Sequence, residues 1–263
     1  MHNPHTIAVI DFETTGMSPA QGARATEIAA VLVRDGRIVG RFASLMRSGA
    51  WVPPFIQQLT GISNRMLAGA PPAAEVMREV AAFTRGCGVV AHNASFDAAF
   101  WRHEQALAGD VPADGSAGVM PGVTAEGTAE KMAEAMAGMV PEVMPGFMAE
   151  VTAEVMPGPA APRAASDFAC TLLLSRRLYP EAPNHRLGTL AAFHGITATG
   201  RAHRALADAE VTAELWLRIT HDVRRSYAAS TPFGLLCALQ RTPRAALARC
   251  AERYFAAGAP STR

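Results

Sequence analysis

Three apolar runs in the first 46 residues set the terms for the whole chain. Thr6–Phe12 (T-I-A-V-I-D-F) is the first, and Glu27–Arg34 and Arg37–Met46 are the second and third. The last two are joined at Asp35-Gly36, and an Asp-Gly pair between apolar runs is a strong hairpin signal. A three-strand meander has faces that must be covered, and the sequence downstream supplies helices. Pro53 to Met66 reads as a loop and a short helix. Pro71-Pro72 then opens A-A-E-V-M-R-E-V-A-A-F, with Val76, Val80 and Phe83 on one helical stripe. Gly88–Ala91 (G-V-V-A) reads as a short buried strand, followed by a helix from about Ser95 to Leu107. Asp167–Leu178 has helical periodicity, Leu187–His194 is a short helix closed by Gly195, and 203–220 is another helix. Strands first, then alternating helix and strand, predict an α/β domain with a mixed central sheet flanked by helices.

Between residues 107 and 166 this pattern breaks. Read in twelves, the chain runs VMPGVTAEGTAE (119–130), KMAEAMAGMVPE (131–142), VMPGFMAEVTAE (143–154), then VMPG again at 155. The period is too short for a helical solenoid, and recurring Pro and Gly forbid a continuous helix. The segment 108–165 is therefore expected to be a flexible, low-complexity insert between two elements of the fold. It also skews the charge. The net charge is +1, yet residues 108–160 hold eight acids and one base, Lys131, leaving the remainder at +8. Lys131 is the only lysine, so every other base outside histidine is arginine. An Arg-rich body suits a phosphate-bearing partner, although a high-GC coding sequence would also favour Arg over Lys.

With 49% hydrophobic residues, a sizeable core is expected. There is no run of 18 uninterrupted apolar residues, so no membrane association is expected. Met1 to His5 lacks the basic start and cleavage site of a signal peptide. Cys87, Cys170, Cys237 and Cys250 form no C-x-x-C pair, which fits a reducing compartment and a cytoplasmic location.

Three short motifs carry the chemistry. D-F-E-T-T-G at 11–16 ends the first strand. Residues two apart on a strand share a face, so Asp11 and Glu13 project side by side while Phe12 turns to the opposite core. Adjacent carboxylates repel in a dry site unless a divalent cation lies between them, and hard oxygen ligands suit Mg²⁺ or Mn²⁺. Taken alone, such a pair is more often two solvent-facing acids at a strand end. H-N-A-S-F-D at 92–97 leaves the buried strand and opens a helix, placing Asp97 in the first turn. H-R-A-L-A-D at 203–208 sets His203 and Asp208 on or entering one helix. A helix N-terminus disfavours the imidazolium, leaving the neutral ring that a general base needs. Singly, these two also read as a helix-dipole acid and a surface pair.

Together, in this order, the motifs resemble the DEDDh family of 3′→5′ exonucleases. That group includes the epsilon proofreading subunit of bacterial replicative polymerase, RNase T and oligoribonuclease. The acid-x-acid with a following T-G is matched by Asp11, Glu13, Thr15 and Gly16, N-x-x-F-D by Asn93, Phe96 and Asp97, and H-x-x-x-x-D by His203 and Asp208. L-T-G-I at 59–62 is similar to the family's nucleotide-contacting helix, and 170–178 and 185–196 to the helices before its last motif. The resemblance covers roughly 1–107 and 165–220. It implies a ribonuclease H-like fold and an exonuclease domain over 1–220, interrupted by the insert, with 221–263 as an Arg-rich helical tail. It implies two Mg²⁺ or Mn²⁺ ions, about 4 Å apart as is usual for such sites. Asp11 would bridge them, with Glu13 and Asp208 completing one site and Asp97 supporting the other. His203 would act as the base, and Thr14, Thr15, Gly16, Leu59, Thr60, Asn93 and Phe96 would bind substrate. The implied reaction removes nucleoside 5′-monophosphates from the 3′ end of DNA, single-stranded or frayed, in proofreading or repair. Alternatives are RNA trimming and a non-catalytic subunit associated with a polymerase. The tail lacks a clamp-binding Gln-x-x-Leu/Met-x-Phe motif, so association with a DNA polymerase stays open.

Overall fold

The computed structural model describes residues 6–109, 168–197, 200 and 203–257. The expected repeat insert at 108–165 lies almost wholly outside them. Strands β1 (Ile7–Thr14), β2 (Ala25–Arg34) and β3 (Arg37–Leu45) form the meander. Helices α1 (Pro54–Thr60), α2 (Asn64–Ala68) and α3 (Ala73–Phe83) lead to β4 (Gly88–Ala91) and α4 (Ala94–Gly109). After the undescribed stretch come β5 (Phe168–Cys170), α5 (Thr171–Leu178), α6 (Leu187–His194), α7 (Ala205–Ser226), α8 (Phe233–Leu239) and α9 (Leu247–Ala256).

The sheet order is β3-β2-β1-β4-β5. β1 pairs antiparallel with β2 and parallel with β4, and β4 pairs parallel with β5, so the sheet is mixed as the sequence anticipates. The β2–β3 turn has Asp35 at φ 51° and Gly36 at φ 78°. Two consecutive positive φ values are what a two-residue type I′ turn requires, which is why Asp-Gly stands there.

Alternation along β1 divides the core. Ile7 and Val9 face one layer with Val31 and Val33, packed under α7 and α8. Ile10 and Phe12 face the other with Ile28 and Ala30, packed under α3 and α4. On α7 the residues nearest the sheet include Ala205, Ala209 and Ala213, all fully buried, and these small side chains let the helix lie close.

Two expectations need correcting. The stretch 167–178 is not one helix: Phe168–Cys170 adds a fifth strand beside β4 before α5 begins. Three residues carry too little periodicity to separate from the following helix. Helix α7 also begins at Ala205, two residues after His203. It continues to Ser226, through residue 220, and the helices beyond join the same core through Leu235, Leu236, Leu239, Leu247 and Ala251. Among the described residues, no helix is long and apolar enough to cross a membrane.

Candidate active site

β1 outruns its parallel neighbour. The β1–β4 ladder ends at Val9, whereas β2 follows β1 to Thr14. Past Val9 one edge of β1 is open, and its buried N–H groups need acceptors. Asp97, in the first turn of α4, provides one: Phe12 N–H donates to Asp97 Oδ1 at 3.2 Å. The open edge thus draws the acid-bearing helix against the strand end.

On the α7 face, Asp11 and Glu13 continue the row of Ile7 and Val9. There they meet Asp208 from α7, and the ligand oxygens of Asp11, Glu13 and Asp208 all lie within 4.8 Å of one another. Asp97 stands outside that trio, although its charge bears directly on Asp11. Burial, then the neighbouring Asp97, Asp208 and Glu13 charges, raise the Asp11 carboxyl well above the usual range. Burial, then Asp208 and Glu27, push Glu13 up to about 8. Burial pushes Asp97 up to about 7 against the opposing hydrogen bond from Phe12. Burial also raises Asp208, opposed by the His203 N–H, which donates to its Oδ2 at 3.2 Å. Arg204, the cation bearing on Glu13, is itself paired with Glu27. Crowded, half-buried carboxylates offering only oxygen fit a hard divalent cation such as Mg²⁺ or Mn²⁺.

His203 precedes the helix, is exposed and adopts φ 61°, a left-handed conformation uncommon for a non-glycine residue. It borders, with Asp208, a cleft of about 1170 Å³ that Asn93, Arg176 and Arg186 also line.

The residues expected to touch substrate fall into two groups. Leu59 is exposed, Asn93 is exposed, and Phe96 is half-buried with its ring 4.9 Å from that of Phe100. Phe55, one turn before Leu59 on α1, and Trp51 are also exposed. Others are engaged internally. Thr14 Oγ1 donates to Gly16 O at 2.7 Å, and Thr15 Oγ1 accepts from Arg24 N at 3.0 Å. Gly16 lies close to Ala23, where an added Cβ would sit 3.3 Å from the Ala23 Cβ. Thr60 is buried, and its hydroxyl donates to Ile56 O and accepts from Ile62 N. Thr60 therefore shapes the end of α1 and faces inward.

Sequence reasoning passed over two acids. Glu27 on β2 sits opposite Glu13, and its carboxylate grips Arg204. Glu104 on α4, 1% exposed, grips Arg24 through Nε and Nη2, both at 2.9 Å, and accepts from Ala25 N at 3.0 Å. The signal was present: an acid inside A-T-E-I-A-A-V-L-V must be paired if the strand is buried.

The exonuclease family model matches residues 8–119 and 127–216. The chain belongs to the exonuclease family. The 3′-5′ exonuclease DinG of Bacillus subtilis (strain 168) is 42% identical over 107 residues, 41% of this chain but only 12% of DinG. This chain thus spans a small part of that relative. The DNA polymerase III subunit epsilon of Aquifex aeolicus (strain VF5) is 26% identical over 223 residues, 84% of each chain. Among solved structures, the nuclease domain of 3′hExo, a DEDDh family member bound to rAMP, superposes with TM-score 0.54 at 16% identity, covering 84% of this chain and 94% of that one. The chain has the ribonuclease H-like fold of the DEDDh exonucleases.

Proposed function

We propose that this exonuclease hydrolyses DNA from the 3′ end, releasing nucleoside 5′-monophosphates, with Asp11, Glu13, Asp97 and Asp208 holding two divalent ions. One observation carries the reading: three carboxylates from β1 and α7 converge within 4.8 Å in a half-buried position. When bound, such ions activate a water and stabilise the leaving 3′ oxygen. His203 takes the proton of the attacking water, its place beside Asp208 secured by its own backbone N–H. Leu59 and Phe96 hold the terminal nucleotide, and Arg176 and Arg186 in the adjoining cleft suit its phosphates. The hydrolytic unit is 1–220 with the insert at 108–165, and the described residues of the 221–263 segment brace it through Leu235, Leu236 and Leu247.

The epsilon relative names a polymerase subunit, which supports a proofreading or repair setting and a polymerase as partner. The rAMP bound by the 3′hExo nuclease domain favours RNA as the second substrate class. The deciding experiment digests matched single-stranded DNA, 3′-mismatched duplex and RNA oligonucleotides with Mg²⁺ or Mn²⁺ and identifies the products. The expected result is 5′-monophosphates from DNA, lost in Asp208→Ala by at least about 10²-fold, the scale for removing a pre-organised charge-stabilising group. A folded Asp208→Ala protein with full activity sinks the assignment, and preferential RNA cleavage moves the substrate to the second class.

A further inference from the structure

Glu27 is an acid at this end of the sheet that the proposed reaction leaves without a task. It is 4% exposed and sits directly across the β1–β2 ladder from Glu13, on the same face. Both its oxygens are occupied. Oε1 accepts from Arg204 Nη2 at 2.7 Å, and Oε2 accepts from Arg204 Nε at 3.1 Å and from Ala205 N at 3.0 Å. A carboxylate so saturated is placed to hold protein groups.

What it holds is the start of α7. A helix leaves its first N–H groups without partners, and the residue before it usually supplies an acceptor side chain. Here that residue is Arg204, which has no acceptor and makes no cap hydrogen bond. Glu27, 177 residues earlier in the chain, supplies the acceptor instead, to the backbone of Ala205 and to the Arg204 fork together. On one side of this anchor lies His203, in its left-handed conformation. On the other lies Asp208, whose amide donates to Arg204 O at 3.1 Å and whose Oδ2 accepts from His203 N. The polar contacts that fix the turn into α7 therefore run from Glu27 to Arg204 and Ala205, or close between His203, Arg204 and Asp208.

We infer that Glu27, acting through Arg204 and the Ala205 amide, is a positioning residue that sets His203 and Asp208 against Asp11 and Glu13. The inference rests on the proposed function of the same site. Groups that orient metal ligands without touching the metal typically contribute 10–100-fold in metal affinity or activity.

The sign of charge separates positioning from mere electrostatics. Glu27→Gln removes a negative charge beside the acids, and Arg204→Ala removes a positive one. Acting through charge alone, the two variants would move cation affinity in opposite directions. Acting through position, both weaken it. Mn²⁺ binding to the full chain is measured by electron paramagnetic resonance, alongside kcat and KM on a single-stranded DNA oligonucleotide and circular dichroism for folding. Both variants are expected to lose about 10–100-fold in Mn²⁺ affinity and in kcat with KM held. Arg204→Lys, a point charge without the planar fork, is expected to recover only part of the loss. Arg204 is 38% exposed on its side chain, so its variants keep the test available if Glu27→Gln does not fold. An Arg204→Ala protein that folds, binds Mn²⁺ as tightly as wild type or tighter and keeps its kcat overturns the inference. So do variants that lose only thermal stability. Wild-type protein that binds no Mn²⁺ overturns the proposed function itself, and that failure is visible in the wild-type arm alone.

Discussion

At the scale of single residues, the acids at the end of β1 are set against the stability of the chain that carries them. Glu13, raised to about 8, and Asp97, raised to about 7, take up protons on folding across the neutral range. A carboxyl whose folded pKa lies above its unfolded one stabilises fully below the unfolded value, near 4, and loses that contribution as pH rises through the folded value. In the absence of divalent ions, Tm is therefore expected to fall between pH 5 and pH 8. Mg²⁺ or Mn²⁺ held at the proposed site would neutralise the ionised cluster, so the Tm increment from added cation is expected to grow over the same interval and vanish with EDTA. Differential scanning fluorimetry across pH, with and without cation, reads this directly. An increment equal at pH 5.5 and pH 8.5 would count against the cluster as the binding site. His92 has the opposite sign. Burial lowers its imidazole to about 4, where Nδ1 meets Thr171 Oγ1 and Nε2 meets His185 O. Its contribution is lost as pH drops from about 6.5 toward 4, so the Tm–pH curve is expected to bend down at the acid end as well.

At the scale of elements, side chains finish what the backbone ladders leave open. β5 is an edge strand, and its free edge is covered by one amide: Gln240 Oε1 accepts from Cys170 N at 2.6 Å while its Nε2 donates to Phe168 O at 3.0 Å. An edge left unpaired and buried is costly, so Gln240→Leu is expected to destabilise by about 1–3 kcal/mol in chemical denaturation. The Arg24–Glu104 pair ties α4, the carrier of Asp97, to the start of β2. Its two halves differ in exposure, 25% for the Arg24 side chain against 1% for Glu104. Arg24→Ala strands a buried carboxylate and is expected to cost about 3–5 kcal/mol. Glu104→Gln keeps an acceptor for Ala25 N and leaves a guanidinium that reaches water, so it should cost less. Equal losses from the two would show that burial of the charge is not what matters.

At the scale of the molecule, both ends of the undescribed stretch meet packed structure. Ala108 is buried near the end of α4, and Arg102 of the same helix lies over the Phe168 ring of β5 at 6.0 Å. Deleting 110–160 and rejoining the chain is accordingly expected to preserve the circular dichroism spectrum and most of the proposed exonuclease activity. A folded but inactive deletion protein would give the repeat a direct role. The C-terminal helices are part of the body. A methyl group added at Gly88 would come 2.7 Å from Phe233 and 2.9 Å from Ile7, so Gly88→Ala is expected to cost about 1–3 kcal/mol through overpacking of α8 against the sheet.

The sequence by itself determined the meander, the hairpin at Asp35-Gly36, the helices that cover the sheet and the three motifs, because each is written in local periodicity or turn chemistry. D-F-E and H-R-A-L-A-D named Asp11, Glu13 and Asp208 as candidates for one site, and the fold brings those three together. Strand β5 was not legible because three residues hold no period. The outward limit of the body was not legible because an Arg-rich segment looks like a tail until its Leu235 and Leu247 are seen buried. The partnerships of Glu27 with Arg204 and of Glu104 with Arg24 span 177 and 80 residues, distances over which a sequence carries no spacing signal. Only the tertiary structure decided them. A buried charge states locally that it needs a partner, but which partner it finds depends on how the chain returns to the same end of the sheet.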